Sequence, residues 1–183
     1  MSVTGAPDGV LVDALVDALG SEPRRPAAFR ELLRQGPDAV PAIRRGLAHP
    51  HPMVREQCCR LLDQLLVEEA VDELIAMLDD PEARVRVAAL HALSCERCKS
   101  DGCRPDRAVL LPRAIRLLDH DPDPHVRAMS VELVGLWVHT HQDALTALTR
   151  AHDGDPSPAV RKKAGWYTPG GPIHRRGAPR SVR

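Results

Sequence analysis

The stretch DPDPHVRAMSVELV, Asp121 to Val134, decides the fold. Two prolines two residues apart forbid a continuing helix before them, and the second suits the first turn of a new one. Asp123 stands where a side chain can cap the exposed N–H groups of that turn. Val126, Met129, Leu133, Leu136 and Trp137 then follow at helical spacing. The spacing predicts a helix with one apolar stripe, started by a proline turn.

The same pattern recurs as HPHPMVREQCCRLL (49–62), DPEARVRVAALHAL (80–93) and DPSPAVRKKAGW (155–166). Its Val-Arg pairs, Val54-Arg55, Val85-Arg86, Val126-Arg127 and Val160-Arg161, are separated by 31, 41 and 34 residues. Before each turn lies another helical pattern: Val40, Ile43, Leu47; Leu74, Ile75, Leu78; Leu111, Ile115, Leu118; Ala144, Leu145, Leu148. A helix pair this short cannot bury its own stripes, so it must stack on its neighbours. The expectation is an all-α solenoid of about four to five helix pairs over residues 9–167. Residues 9–35, with VLVDALVDAL and PAAFRELLRQG, read as a degenerate cap pair. Residues 1–8 read as a disordered start and 168–183 as a basic flexible tail.

These fragments resemble HEAT repeats, in particular the HEAT-like repeats of the phycobilisome-lyase type. The matching residues are the turn Asp (Asp79 or Asp80, Asp121, Asp155), the following Pro and the Val-Arg that opens the second helix. The resemblance implies a polar ladder along the stack, built from Asp80, Arg86, Asp121, Arg127, Asp155 and Arg161, with Arg55 as a further partner. His49 and His51 stand where the other repeats have Asp, so the first clear repeat departs from the pattern. A repeat fold of this kind serves many roles and does not by itself specify one.

Composition agrees with short helices. Aromatics are confined to Phe29, Trp137, Trp166 and Tyr167, and Ala, Leu and Val supply most apolar side chains. Acidic and basic residues are equal at 25 each, but no acidic residue follows Asp155 while seven basic ones do. The body is therefore acidic and the tail basic. Scarce lysine points to a GC-rich bacterial genome. No run approaches a membrane span, and the start lacks a signal-peptide pattern, so a cytoplasmic setting with reduced thiols is expected.

The 41-residue interval holds about ten extra residues, at 94–106, and they contain Cys95, Cys98 and Cys103. His91 lies four residues before Cys95 on one helical face. One imidazole and three thiolates would suit tetrahedral zinc. The competing readings are a Cys98–Cys103 redox pair, or loop thiols beside a core-packed Cys95. Cys58 falls on the apolar stripe of its helix with Cys59 adjacent, and both read as core.

Other chemistries lack their motifs. The chain has no Gly-x-Ser-x-Gly, phosphate loop or dinucleotide fingerprint. HEAT-like di-iron hydroxylases carry His-Glu motifs, and this sequence has no His-Glu dipeptide. HEAT-like DNA glycosylases use a basic concave face, unlike this acidic body. Trp166 and Tyr167 read as the end cap of the stack rather than a base-stacking platform, so nucleic acid is not the expected partner. The resulting expectation is a non-enzymatic protein-binding scaffold or adaptor whose partner presents a basic surface. The alternatives are a zinc- or thiol-linked module, an accessory factor for bilin-type cofactor attachment, and nucleic-acid binding through the basic tail.

Overall fold

The computed structural model describes residues 7–94 and 106–177, which are helical and contain no strand. The chain divides into two compact units, Met1–Arg104 and Pro105–Arg183. Each is a run of helix pairs of the α-solenoid class.

The first unit comprises α1 (Pro7–Ala18), α2 (Arg25–Gln35), α3 (Val40–Gly46), α4 (Pro52–Leu65), α5 (Val71–Ala76) and α6 (Ala83–Ser94). Helix α4 starts as its sequence dictates, with Pro52 in the first turn and the His51 imidazole accepting from Met53 N. It ends on Leu66, whose φ of 56° puts a branched side chain in the left-handed position that usually takes glycine. Helix α4 packs against α3 and α6; its Val54, Cys58, Leu61 and Leu62 are buried, as are Val85, Ala89 and Leu90 on α6. Burial of each such leucine contributes about 1.5–3 kcal/mol. Helix α1 is apolar on most of its surface, and Val10 and Leu11 remain exposed.

The second unit comprises α7 (Arg107–His120), α8 (Pro124–Gly135), α9 (Gln142–Gly154), α10 (Pro158–Gly165) and α11 (Pro172–Gly177). The Asp123 carboxylate accepts from His125 N at 2.7 Å and caps α8, with Pro124 next in line. The stripe of α8 is rotated from the expected one. Val126, Ser130, Val131, Leu133 and Val134 are buried, while Met129 and Trp137 are half-exposed. Ser130 is tolerated there because its hydroxyl donates to Val126 O at 2.9 Å. Leu136 and Trp137 lie beyond the helix, which ends at Gly135.

Residues 172–177, read from the sequence as part of a loose tail, form the short helix α11. Pro172 starts it, and the amides of Ile173 and His174 donate to Trp166 O at 2.9 and 3.0 Å. Those bonds satisfy a carbonyl at the end of α10 that would otherwise lack a helical partner.

Candidate functional site

The proline turns are organised by arginine. Arg55, Arg86, Arg127 and Arg161 each use Nη1 to donate to the carbonyl six residues earlier, at 2.5–2.9 Å. Each turn Asp accepts the amide two residues ahead: Asp80 from Glu82, Asp121 from Asp123, Asp155 from Ser157. The guanidinium also reaches the Asp of the following turn. Arg55 meets Asp80 in a two-bond pair at 2.7 and 2.9 Å, and Arg127 meets Asp155 at 2.8 and 3.1 Å. These side chains are 4–12% exposed, so the pairs are largely removed from water. Hydrogen bonding to the Asp partner raises both guanidinium pKa values further. Of the remaining expected ladder residues, Arg86 belongs to the first unit and Asp121 to the second.

Two members of this system escape sequence reading. Arg25 donates through Nε to Leu19 O, also six residues back, so the degenerate first pair has the turn arginine without its Asp. His49 replaces the turn Asp atom for atom, its Nδ1 accepting from His51 N at 2.9 Å. The imidazole's other nitrogen is 3.4 Å from the Asp17 carboxylate.

Polar groups also line the seam between second helices. On α4, Glu56 and Asp63 stand two turns apart and are each under 10% exposed. Arg60 binds Glu56 at 2.7 Å, and from α6 Arg84 approaches it at 4.0 Å. His91 on α6 lies 3.5 Å from Asp63. In the second unit the corresponding pair is Lys163–Glu132 at 2.5 Å, with the Met129 sulfur beside the same ammonium. A surface of buried carboxylates met by cations from the next helix suits orientation of a polar protein partner. Beside Arg127, an open cleft of about 550 Å³ contains the paired Asp119 and Arg150, with His120 on its wall.

The zinc expectation centred on Cys95, Cys98 and Cys103 lies outside the described residues. Its fourth member, His91, is exposed and turned to Asp63. Among the described residues no three metal-binding side chains converge. Cys58 and Cys59 are fully buried, and desolvation pushes the Cys58 thiol up to about 12 and Cys59 up as well. Neither forms thiolate at neutral pH, so both are expected to resist iodoacetamide in the native protein and react fully in guanidinium. Peptide mapping by mass spectrometry checks this; native labelling at either site contradicts it.

The expected end cap divides. The Tyr167 ring lies over Gly135, where a Cβ would come within 2.3 Å of it. Trp166 is 38% exposed and contributes mainly its backbone carbonyl to the packing of α11.

Residues 10–94 match the HEAT repeats family. No curated protein sequence matches the chain. Among solved structures, a chain of the complex of CpcE and CpcF of phycocyanin lyase from Nostoc sp. PCC7120 is similar at 20% identity. Its TM-score is 0.69, and the match covers 86% of this chain and 97% of that one. An engineered protein is similar at 18% identity and TM-score 0.54, covering 84% of this chain and 76% of that one. The first match overturns the expectation that the chain is not an enzyme. This fold serves in a lyase complex, so the lack of familiar catalytic motifs does not exclude lyase-related activity. No helix among the described residues is long and apolar enough to cross a membrane.

Proposed function

We propose that this HEAT-repeat chain is the protein-docking subunit of a lyase-type assembly that attaches a bilin-type cofactor to a protein. The observation that carries the reading is the match along nearly the whole chain to a member of a two-protein phycocyanin lyase complex. The seam of Glu56, Asp63, Arg84 and His91 supports it by offering a preformed polar surface on rigid helices. A partner with a basic segment would meet Glu56 and Asp63 there, displacing Arg84 and His91.

The test titrates labelled apo-phycocyanin with the purified chain and follows fluorescence anisotropy. Saturable binding is expected, weakening as salt rises. Arg84→Glu is expected to tighten it, because the variant removes the cation that a basic segment must displace from Glu56, while leaving the thermal midpoint near wild type, since that side chain is more than half exposed. No binding to apo-phycocyanin at low salt overturns the reading.

A further inference from the structure

We propose that α11 is a pH-sensitive strap that docks on the ends of α8 and α10 at neutral pH and is released by acid through His174, whose ring lies against His139. The rings of these residues touch, with centroids 4.4 Å apart and planes tilted by 51°. His139 comes from the turn after α8, and His174 from the middle of α11. The His139 Nε2 atom is buried and has no hydrogen-bond partner among the described residues. A neutral His174 ring tolerates that contact, whereas its imidazolium would press a cation against the second ring.

The rest of the strap is built for close but shallow attachment. Gly171 is buried, and a Cβ there would fall 2.3 Å from Gly165 O and 2.5 Å from Trp166 O. A Cβ on Gly177 would meet the His139 ring at 3.1 Å. Beyond these approaches, the described residues add the two amide bonds to Trp166 O and the half-buried Ile173, and no side chain of α11 is fully buried. So small an attachment can be reversed by one protonation.

Among the described residues no carboxylate forms an ion pair with either imidazole, and Asp143, in the first turn of α9, is the acidic residue nearest in sequence to His139. Arg175 and Arg176 follow His174 on α11, and Arg176 donates to Pro172 O. Helix α10 brings Lys162 and Lys163, and α9 brings His152, which contacts Arg161 O. His141 follows in the turn beside Thr140. The carboxylate on α8, Glu132, is already held by Lys163. Burial first, and then the charge of His139, lower the His174 pKa below its ordinary 6.5.

The sign follows from linkage. The docked state holds fewer protons than the released one, so docking is strongest above pH 6.5 and weakens as pH falls through and below it. With His174 neutral when docked, the docked-to-released ratio falls roughly thirtyfold by pH 5.

Hydrogen exchange of residues 171–177, corrected for intrinsic rates, tests this between pH 8 and pH 5. Protection in the full-length protein is expected to drop at acid pH while α8 and α10 stay protected. His174→Phe and His139→Phe keep a ring at the contact without a titrating group, and their protection is expected to vary less with pH. Wild-type protection that is independent of pH, or a pH response unchanged in both variants, overturns the proposal.

Discussion

Arg127→Ala is expected to destabilise the C-terminal unit by about 3–5 kcal/mol, the usual cost of breaking a buried charge pair from one side. Arg127 joins four acceptors: both Asp155 carboxylate oxygens, Asp121 O and Pro122 O. Alanine leaves the Asp155 side chain, 5% exposed, with the Ser157 amide still donating to it but no guanidinium facing it. It also leaves the Asp121 carbonyl without its guanidinium. The loss is therefore mostly the desolvation of groups left behind rather than the net worth of the pair. Arg127→Lys should fall between, because an ammonium cannot hold a carboxylate side-on and reach two carbonyls. Arg34→Ala is the control. Its pair with Glu31 is surface-exposed, and its removal should leave the unfolding midpoint unchanged. Urea unfolding followed by circular dichroism measures all three. An Arg127→Ala loss no larger than that of Arg34→Ala would refute the account.

That prediction rests on residues legible in the sequence, and the reason is their locality. Asp-Pro, the amide two residues on and the arginine six residues on form one turn, so the motif announces itself wherever it repeats. The Arg55–Asp80 pair spans 25 residues but becomes legible through the period. His49 was less so, because an imidazole nitrogen can accept the same amide as a carboxylate oxygen, and the letter changes while the bond stays. Arg25 was hidden for the opposite reason: its acceptor is the Leu19 backbone, which carries no sequence signal. The seam residues Glu56, Asp63, Arg84 and His91 look like an ordinary solvated face until α4 and α6 are laid side by side. Likewise, His139 and His174 are 35 residues apart with no repeat relating them. The tail was read as loose from its prolines and cations, yet the Trp166 carbonyl supplies the tertiary contact that orders α11.

Close helix packing is the least legible feature, and Gly46 tests it. This glycine ends α3 where that helix meets α4, and a Cβ would lie 2.5 Å from Cys58 Sγ and 2.8 Å from Val16 Cγ1. Both neighbours are buried, so neither can swing into solvent. Gly46→Ala should therefore cost about 1–3 kcal/mol by overpacking, although alanine is the better helix former by about 1 kcal/mol. The cause can be isolated, because Cys58→Ala removes the sulfur and leaves the Cys58 Cβ at 3.8 Å, an ordinary contact. Cys58→Ala alone should also destabilise, through the cavity it opens. Combined, the new methyl partly fills the space the sulfur vacates, so the double variant should lose less than the sum, by about 0.5–3 kcal/mol. The remaining contact with Val16 sets how far the rescue goes, since at 2.8 Å α1 must give way to accept the methyl. Strict additivity of the two losses in urea unfolding would mean that α3 and α4 do not meet through Gly46 and Cys58, and the packing of the first unit would need another account.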